Sequence, residues 1–190
     1  MGILILGLIV FLGGHSIAAF TLRLRERAVL TLGEGPWKGL YGLVAIIGFV
    51  LIVWGYGQAR LHPHLLYTTP YWMRHVTFLL MLPVFPMFLA AYLPGRIRTT
   101  LKHPMLVAVK TWAVAHLLVN GTLADVLLFG GFLAWAVLVR ISLKRRAPRP
   151  VPSLPRSGWN DAIAVAGGLA FYLAFLFWLH PLLIGVPLIG

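Results

Sequence analysis

Six apolar runs, separated by short clusters of basic and turn-forming residues, decide most of what this chain can become. A helix needs roughly 20 residues, at about 1.5 Å each, to cross the hydrocarbon core of a bilayer. Gly2–Phe20, Gly39–Tyr56, Trp72–Leu93, Pro104–Val119, Leu123–Ile141 and Asp161–Leu179 meet or approach that length, the fourth being the shortest. Only 11% of the 190 residues are charged and 60% are hydrophobic, so a soluble domain of this size would lack a polar surface. The expected fold is all-α: a polytopic membrane bundle of about six transmembrane helices, forming one domain over residues 1–190. Pro83 and Pro86 should kink the third run, and Asn120-Gly121 should turn the chain tightly between the fourth and fifth.

The net charge of +12 raises nucleic acid as a partner. The basic residues, however, sit between apolar runs, where a membrane protein places them, and nucleic acid is set aside. Arg23, Arg25, Arg27 and Lys38 follow the first run, Arg96, Arg98 and Lys102 the third, and Arg140, Lys144, Arg145, Arg146, Arg149 and Arg156 the fifth. Arg60 and Arg74 lie on the other side. The positive-inside rule then puts both termini outside the cytoplasm. Charges follow the first run instead of preceding it, so residues 1–20 are expected to stay as a helix and not to act as a cleaved signal. The proline-rich segment 142–160 is expected to be a stiff, basic cytoplasmic linker at the anionic leaflet.

With no cysteine, thiolate ligands and cysteine nucleophiles are excluded. Of the four acidic residues, Glu26 and Glu34 follow the first run, Asp125 opens the fifth helix, and Asp161 looks like an N-cap of the sixth. No carboxylate pair suits acid–base or two-metal chemistry, and there is no phosphate-binding glycine loop or nucleophile elbow. Histidines remain. His62, His64 and His75 form a loose outer group whose spacing is weak for a metal, so solvated interfacial side chains are expected there; His180 reads as a boundary residue. His15, His103 and His116 are different. His15 ends the polar-poor stretch GLIVFLGGH, after Gly13 and Gly14. His103 precedes Pro104, which suits a first helical turn. His116 lies deep in its run, with Asn120 one turn on and placed to hydrogen-bond the imidazole and fix its tautomer. Two histidines on two helices can ligate a haem iron from opposite sides, and glycines let a flat macrocycle lie close. Helix packing explains the glycines as well, and buried histidines also serve other ends.

GHS in the first run and GRIRTTLKHPMLVAVKTWAVAHLLVNGTLADVLLFGGFLAWAV resemble the NnrU family and the related plant zeta-carotene isomerase, over most of residues 1–140. The resemblance implies a bacterial inner-membrane protein associated with denitrification, in nitrite and nitric oxide metabolism. From the isomerase it implies haem b, with ligands at His15 and His116. The isomerase also has a cysteine where this chain has Ala113, which puts the isomerase activity in doubt. Counted from the fourth helix start, His116 lies about 20 Å deep; if that helix is steep, His103 is the reserve partner for His15. Haem propionates would then find Arg23, Arg96, Arg98 and Lys102 on the required side. The leading expectation is a bis-histidine haem b protein acting in electron transfer or haem-dependent redox or isomerase chemistry, with a respiratory redox partner or an apolar small molecule. The alternatives are a non-catalytic assembly or maturation factor for a respiratory reductase and, through the His103-Pro104 element, an S-adenosylmethionine-dependent membrane methyltransferase. The second lacks the acidic pair such enzymes carry.

Overall fold

The computed structural model describes residues 1–20, 22–145 and 153–189. Among them every regular element is helical, apart from one isolated antiparallel bridge between Leu65 and Thr122. The helices are α1 (Gly2–Phe20), α2 (Leu22–Leu32), α3 (Glu34–Ala59), α4 (Met73–Met81), α5 (Val84–Ala90), α6 (Arg96–Leu101), α7 (Pro104–Leu117), α8 (Leu123–Lys144), α9 (Asn160–Ala174) and α10 (His180–Ile184), with a π turn over Phe175–Leu179. Four stretches are long and apolar enough to cross a membrane: Glu34–Ala59, Met73–Ala90, Leu123–Lys144 and Asn160–Ile184. Gly2–Ile17 and Pro104–Leu117 are apolar but shorter. At 14 residues, α7 is about 21 Å long, less than the hydrocarbon thickness of about 30 Å.

The chain divides into two compact units, Met1–Thr69 with Asn120–Pro148, and Pro70–Val119 with Arg149–Gly190. In the first unit, α3 buries Gly48, Ile52, Gly55 and Ala59 on one stripe. Its opposite face exposes Leu43, Ile46, Val50 and Val53. Water would not tolerate that face; acyl chains do, and this is a membrane protein. The buried stripe explains how α1 and α3 touch. A Cβ on Gly48 would lie 2.7 Å from the Phe11 nitrogen, one on Gly7 2.6 Å from the Ile52 nitrogen, and one on Gly55 would collide with the Leu4 backbone. Bare glycine backbones let the two helices pack main chain to main chain, which is how apolar helices gain contact where burial alone no longer drives them together.

α8 starts on a capping box. Thr122 Oγ1 accepts the Asp125 N–H at 3.3 Å and Asp125 Oδ2 accepts the Thr122 N–H at 2.9 Å. Asp125, 5% exposed, also accepts the Tyr56 hydroxyl at 2.6 Å, tying α3 to α8. Segment 60–69 is stitched to the same turn: Leu66 N–H donates to Gly121 O at 2.8 Å, Leu123 N–H to His64 O at 2.8 Å, and the Tyr67 hydroxyl to Asn120 O at 2.8 Å. Burial and the nearby Asp125 carboxylate push the Tyr67 phenol above its ordinary value.

The basic stretch after α1 is not a loop. Leu22–Leu32 is helical, as its leucines, arginines, glutamate and alanine favour. With Leu24, Leu30 and Leu32 exposed beside the charged residues, α2 has the composition of an interfacial helix. The expected linker at 142–160 is also shorter than its bounds, because α8 continues to Lys144 and α9 begins at Asn160. Residues 146–152 of it lie outside the described residues, and 153–159 are irregular and exposed.

In the second unit, the prolines divide the third apolar run. Pro83 stands at the N-cap of α5, and Pro86 falls in that helix's first turn, where no N–H is needed. α5 packs against α9 where a Cβ on Gly168 would collide with Pro86, and Ala90, Leu93 and Ala164 form a small buried cluster there. A second cluster joins Val84 and Met87 to Ala108, with Trp112 against it. Asp161 does not cap its own helix as its position suggests. Its Oδ2 accepts the Arg96 N–H at 2.7 Å and its Oδ1 the Ile97 N–H at 3.1 Å, so it caps α6 from a distant part of the chain. Its neighbour Asn160, 4% exposed, donates to Pro94 O at 2.9 Å and to Pro155 O at 3.1 Å. A Cβ on Gly95 would strike the Asp161 carboxylate, so the glycine of GRIR is required by this cap.

Candidate functional site

His15 stands half-buried on α1, one turn after Phe11. Its Nδ1 lies 2.8 Å from the Phe11 carbonyl oxygen. That oxygen only accepts, so Nδ1 carries the proton and the neutral ring's lone pair is on Nε2, the usual ligating atom. The Phe11 ring stacks on the imidazole at 4.3 Å between centroids. Tyr41 from α3, at 5.4 Å, and Trp135 from α8, at 6.1 Å and perpendicular, complete an aromatic setting drawn from three helices. The Trp135 Nε1 is buried with no hydrogen-bond partner, a state that native interiors seldom leave unexplained. Of the two glycines before His15, a Cβ on Gly14 would meet Val44 at 3.4 Å, while one on Gly13 would meet nothing within 4 Å. Gly13 is thus not a packing glycine. The close contacts of α1 run through Gly7, Gly48 and Gly55 instead.

His116, also half-buried, repeats the arrangement on α7. Its Nδ1 lies 2.9 Å from the Trp112 carbonyl oxygen, and the Trp112 ring lies 5.3 Å from the imidazole. The carbonyl four residues back therefore fixes the tautomer. α7 ends at Leu117, so Asn120 lies three residues past its last helical residue. Position on the helix is held one residue earlier, where the buried Thr77 hydroxyl of α4 donates to the Ala115 carbonyl at 3.0 Å. Ala113, the position of the isomerase's cysteine, is fully buried.

The basic residues expected around a propionate are distributed over short elements. Arg96 is exposed and Arg98 half-buried, both on α6; the Arg23 side chain lies outside the described residues. Lys102 joins α6 to α7 with φ 61° and ψ −42°, and the His103 N–H donates to Leu101 O at 2.7 Å across it. This is a γ-turn, a strained conformation for a residue with a Cβ. His103 then takes the N-cap position and Pro104 the first helical position of α7, as the sequence implies. Among the described residues no group of three or more His or acidic side chains is placed to hold a metal ion, so His62, His64 and His75 assemble no such centre. His180 Nδ1 bonds the Val186 carbonyl at 2.8 Å and closes the C-terminal turn.

A family model described as NnrU protein matches residues 3–188. The chain belongs to the NnrU family. No curated protein and no solved structure matches it. The NnrU match extends well past the stretch that carries the sequence resemblance and takes in α9, whose Asn160-Asp161 pair holds the GRIR segment. Sequence reasoning passed over the aromatic residues one turn before each histidine, although F-x-x-x-H and W-x-x-x-H were both visible. Tyr41 and Trp135 carried no comparable signal, because each reaches His15 only through helix packing.

Proposed function

We propose that this NnrU-family membrane protein serves denitrification and holds haem b through Nε2 of His15 and His116, with six membrane passages and both termini on the side opposite the basic segments, in the bacterial inner membrane. The observation that carries the reading is shared by the two histidines. Each donates Nδ1–H to the carbonyl four residues back and lies against that residue's aromatic ring, which orients the imidazole and leaves Nε2 as the lone-pair atom. The donor chemistry fits haem, and the partnerless Trp135 N–H beside His15 fits a site that is completed by a bound group. Haem would supply one-electron redox chemistry or a binding position for nitric oxide. The chain's own residues would orient the ligands and keep water out with Phe11, Tyr41, Trp112 and Trp135, while Arg98 and Lys102 offer cations for carboxylates. A respiratory redox partner follows from electron transfer; an apolar small molecule follows from isomerase-like chemistry.

Two structural facts weigh on the alternatives. Asp125 and Asp161 each satisfy the backbone N–H groups of a helix start, so neither belongs to a methyltransferase acidic pair. The non-catalytic assembly factor for a respiratory reductase keeps the same family membership and differs in its spectrum. The test is the optical spectrum of the detergent-purified protein, oxidised and reduced, for wild type, His15→Ala and His116→Ala. A six-coordinate haem b spectrum in the wild type, lost in both variants, is expected. A wild type that stays colourless when supplied with haem sinks the haem reading and brings the assembly factor forward.

A further inference from the structure

The contact between the GRIR segment and the start of α9 leaves an open cleft of 440 Å³, lined by Gly95, Arg96, Thr99, Arg156, Ser157 and Asp161 among others. Its charge is unbalanced in a specific way. Asp161 spends both carboxylate oxygens on the Arg96 and Ile97 N–H groups, and Glu34 is paired with Lys38, far along the sequence. Arg96 and Arg156 line the same cleft as Asp161, and among the described residues no carboxylate lies at ion-pair distance from either. One hydroxyl adds to them: Ser157 Oγ accepts the Trp159 N–H at 3.2 Å and keeps its own proton to donate, whereas the Thr99 hydroxyl donates to Arg96 O at 2.9 Å. The cleft also has a defined depth. The membrane-crossing stretch Asn160–Ile184 begins directly after it, and Trp159, 74% exposed, stands at that boundary, where tryptophans favour the headgroup layer.

We propose that this cleft binds a phosphate group, supplied by the headgroup of an anionic phospholipid. Two guanidinium groups match phosphate oxygens with paired N–H donors. Basic pockets at the ends of membrane helices are where anionic headgroups lodge. An occupied cleft would fasten the irregular segment 153–159 to α6 at the membrane surface. The proposal is independent of haem.

The test uses the full chain reconstituted in nanodiscs of phosphatidylcholine, alone or mixed in equal parts with phosphatidylglycerol. Lipid kept through detergent washing is counted by native mass spectrometry. The wild type retains phosphatidylglycerol over phosphatidylcholine. Each of Arg96→Gln and Arg156→Gln lowers that retention by about fivefold, the weight of one cation at an anionic surface, and Arg156→Lys recovers most of it. Arg156 lies in an exposed irregular segment, so its variants keep the helical circular dichroism of the parent. A second arm titrates the detergent-solubilised protein with inorganic phosphate and follows the ³¹P linewidth. Broadening that the double variant abolishes, without lipid selectivity, supports the phosphate site and names free phosphate as its source. Equal retention of the two lipids with no phosphate broadening overturns the proposal, as does a double variant that behaves like wild type in both arms.

Discussion

Asp161→Ala separates the tertiary reading of this residue from the local one. In the structure the carboxylate accepts two N–H groups of α6, Arg96 at 2.7 Å and Ile97 at 3.1 Å, and none from its own helix is among its bonds. Bonds to a charged acceptor contribute roughly 1.5–3 kcal/mol each when the donor would otherwise be stranded. Arg96 is exposed, so water replaces its bond cheaply, and the net loss should be close to that of an N-cap, about 1–2 kcal/mol. A change of that size raises the open population of the α6 start by roughly 5–30-fold. Hydrogen exchange by mass spectrometry, on protein in detergent or nanodiscs, reads it directly. Peptides over residues 94–101 should exchange faster by that factor, while those over 162–168 keep their protection. Asp161→Asn, which preserves the shape and removes the charge, should fall between. Unchanged protection at 94–101 would refute the reasoning. So would a loss confined to 162–168, because it would mean that Asp161 caps α9 after all.

Gly55→Val should lower the thermal unfolding midpoint, since its side chain would meet the Leu4 backbone; overpacking of this kind costs about 1–3 kcal/mol. Gly57→Val, two residues on where a Cβ meets nothing within 4 Å, is the control and should leave the midpoint near wild type; an equal fall in both would refute the glycine contact. Lys102→Gly should raise stability by about 1 kcal/mol, because glycine adopts φ 61° without strain. A lower midpoint in chemical denaturation would show that the lysine side chain outweighs its backbone strain.

Residues with a local physical job were legible before the fold was known. Pro104 at a first helical position, Pro83 and Pro86 as breaks in an apolar run, and the apolar stretches themselves all follow from one residue's own backbone or from a run's own length. α2 was missed because its arginines were read only as a topology signal, and a basic segment can satisfy that rule as a helix or as a loop.

The candidate histidines illustrate the same division. His15 and His116 stood out because an imidazole in an apolar run is chemically conspicuous, and the carbonyls that fix their tautomers lie one turn back on the same helix, within reach of sequence reasoning. Helical periodicity also pointed from His116 to Asn120, which lies past the end of α7 at Leu117. Sequence by itself determined that this is an all-helical membrane chain, where α1, α7 and α8 begin, and which few polar groups they carry. Tertiary structure alone decided that Gly7, Gly48 and Gly55 are contact surfaces while Gly13 is not, that Trp135 faces His15, and that Asp161 caps a helix more than sixty positions earlier in the chain. The reason is that a cap, a ring contact or a glycine contact is a statement about what lies opposite. In a chain where 60% of the residues are hydrophobic, hydrophobic pattern says which segments are buried or in lipid, but not which backbone they meet.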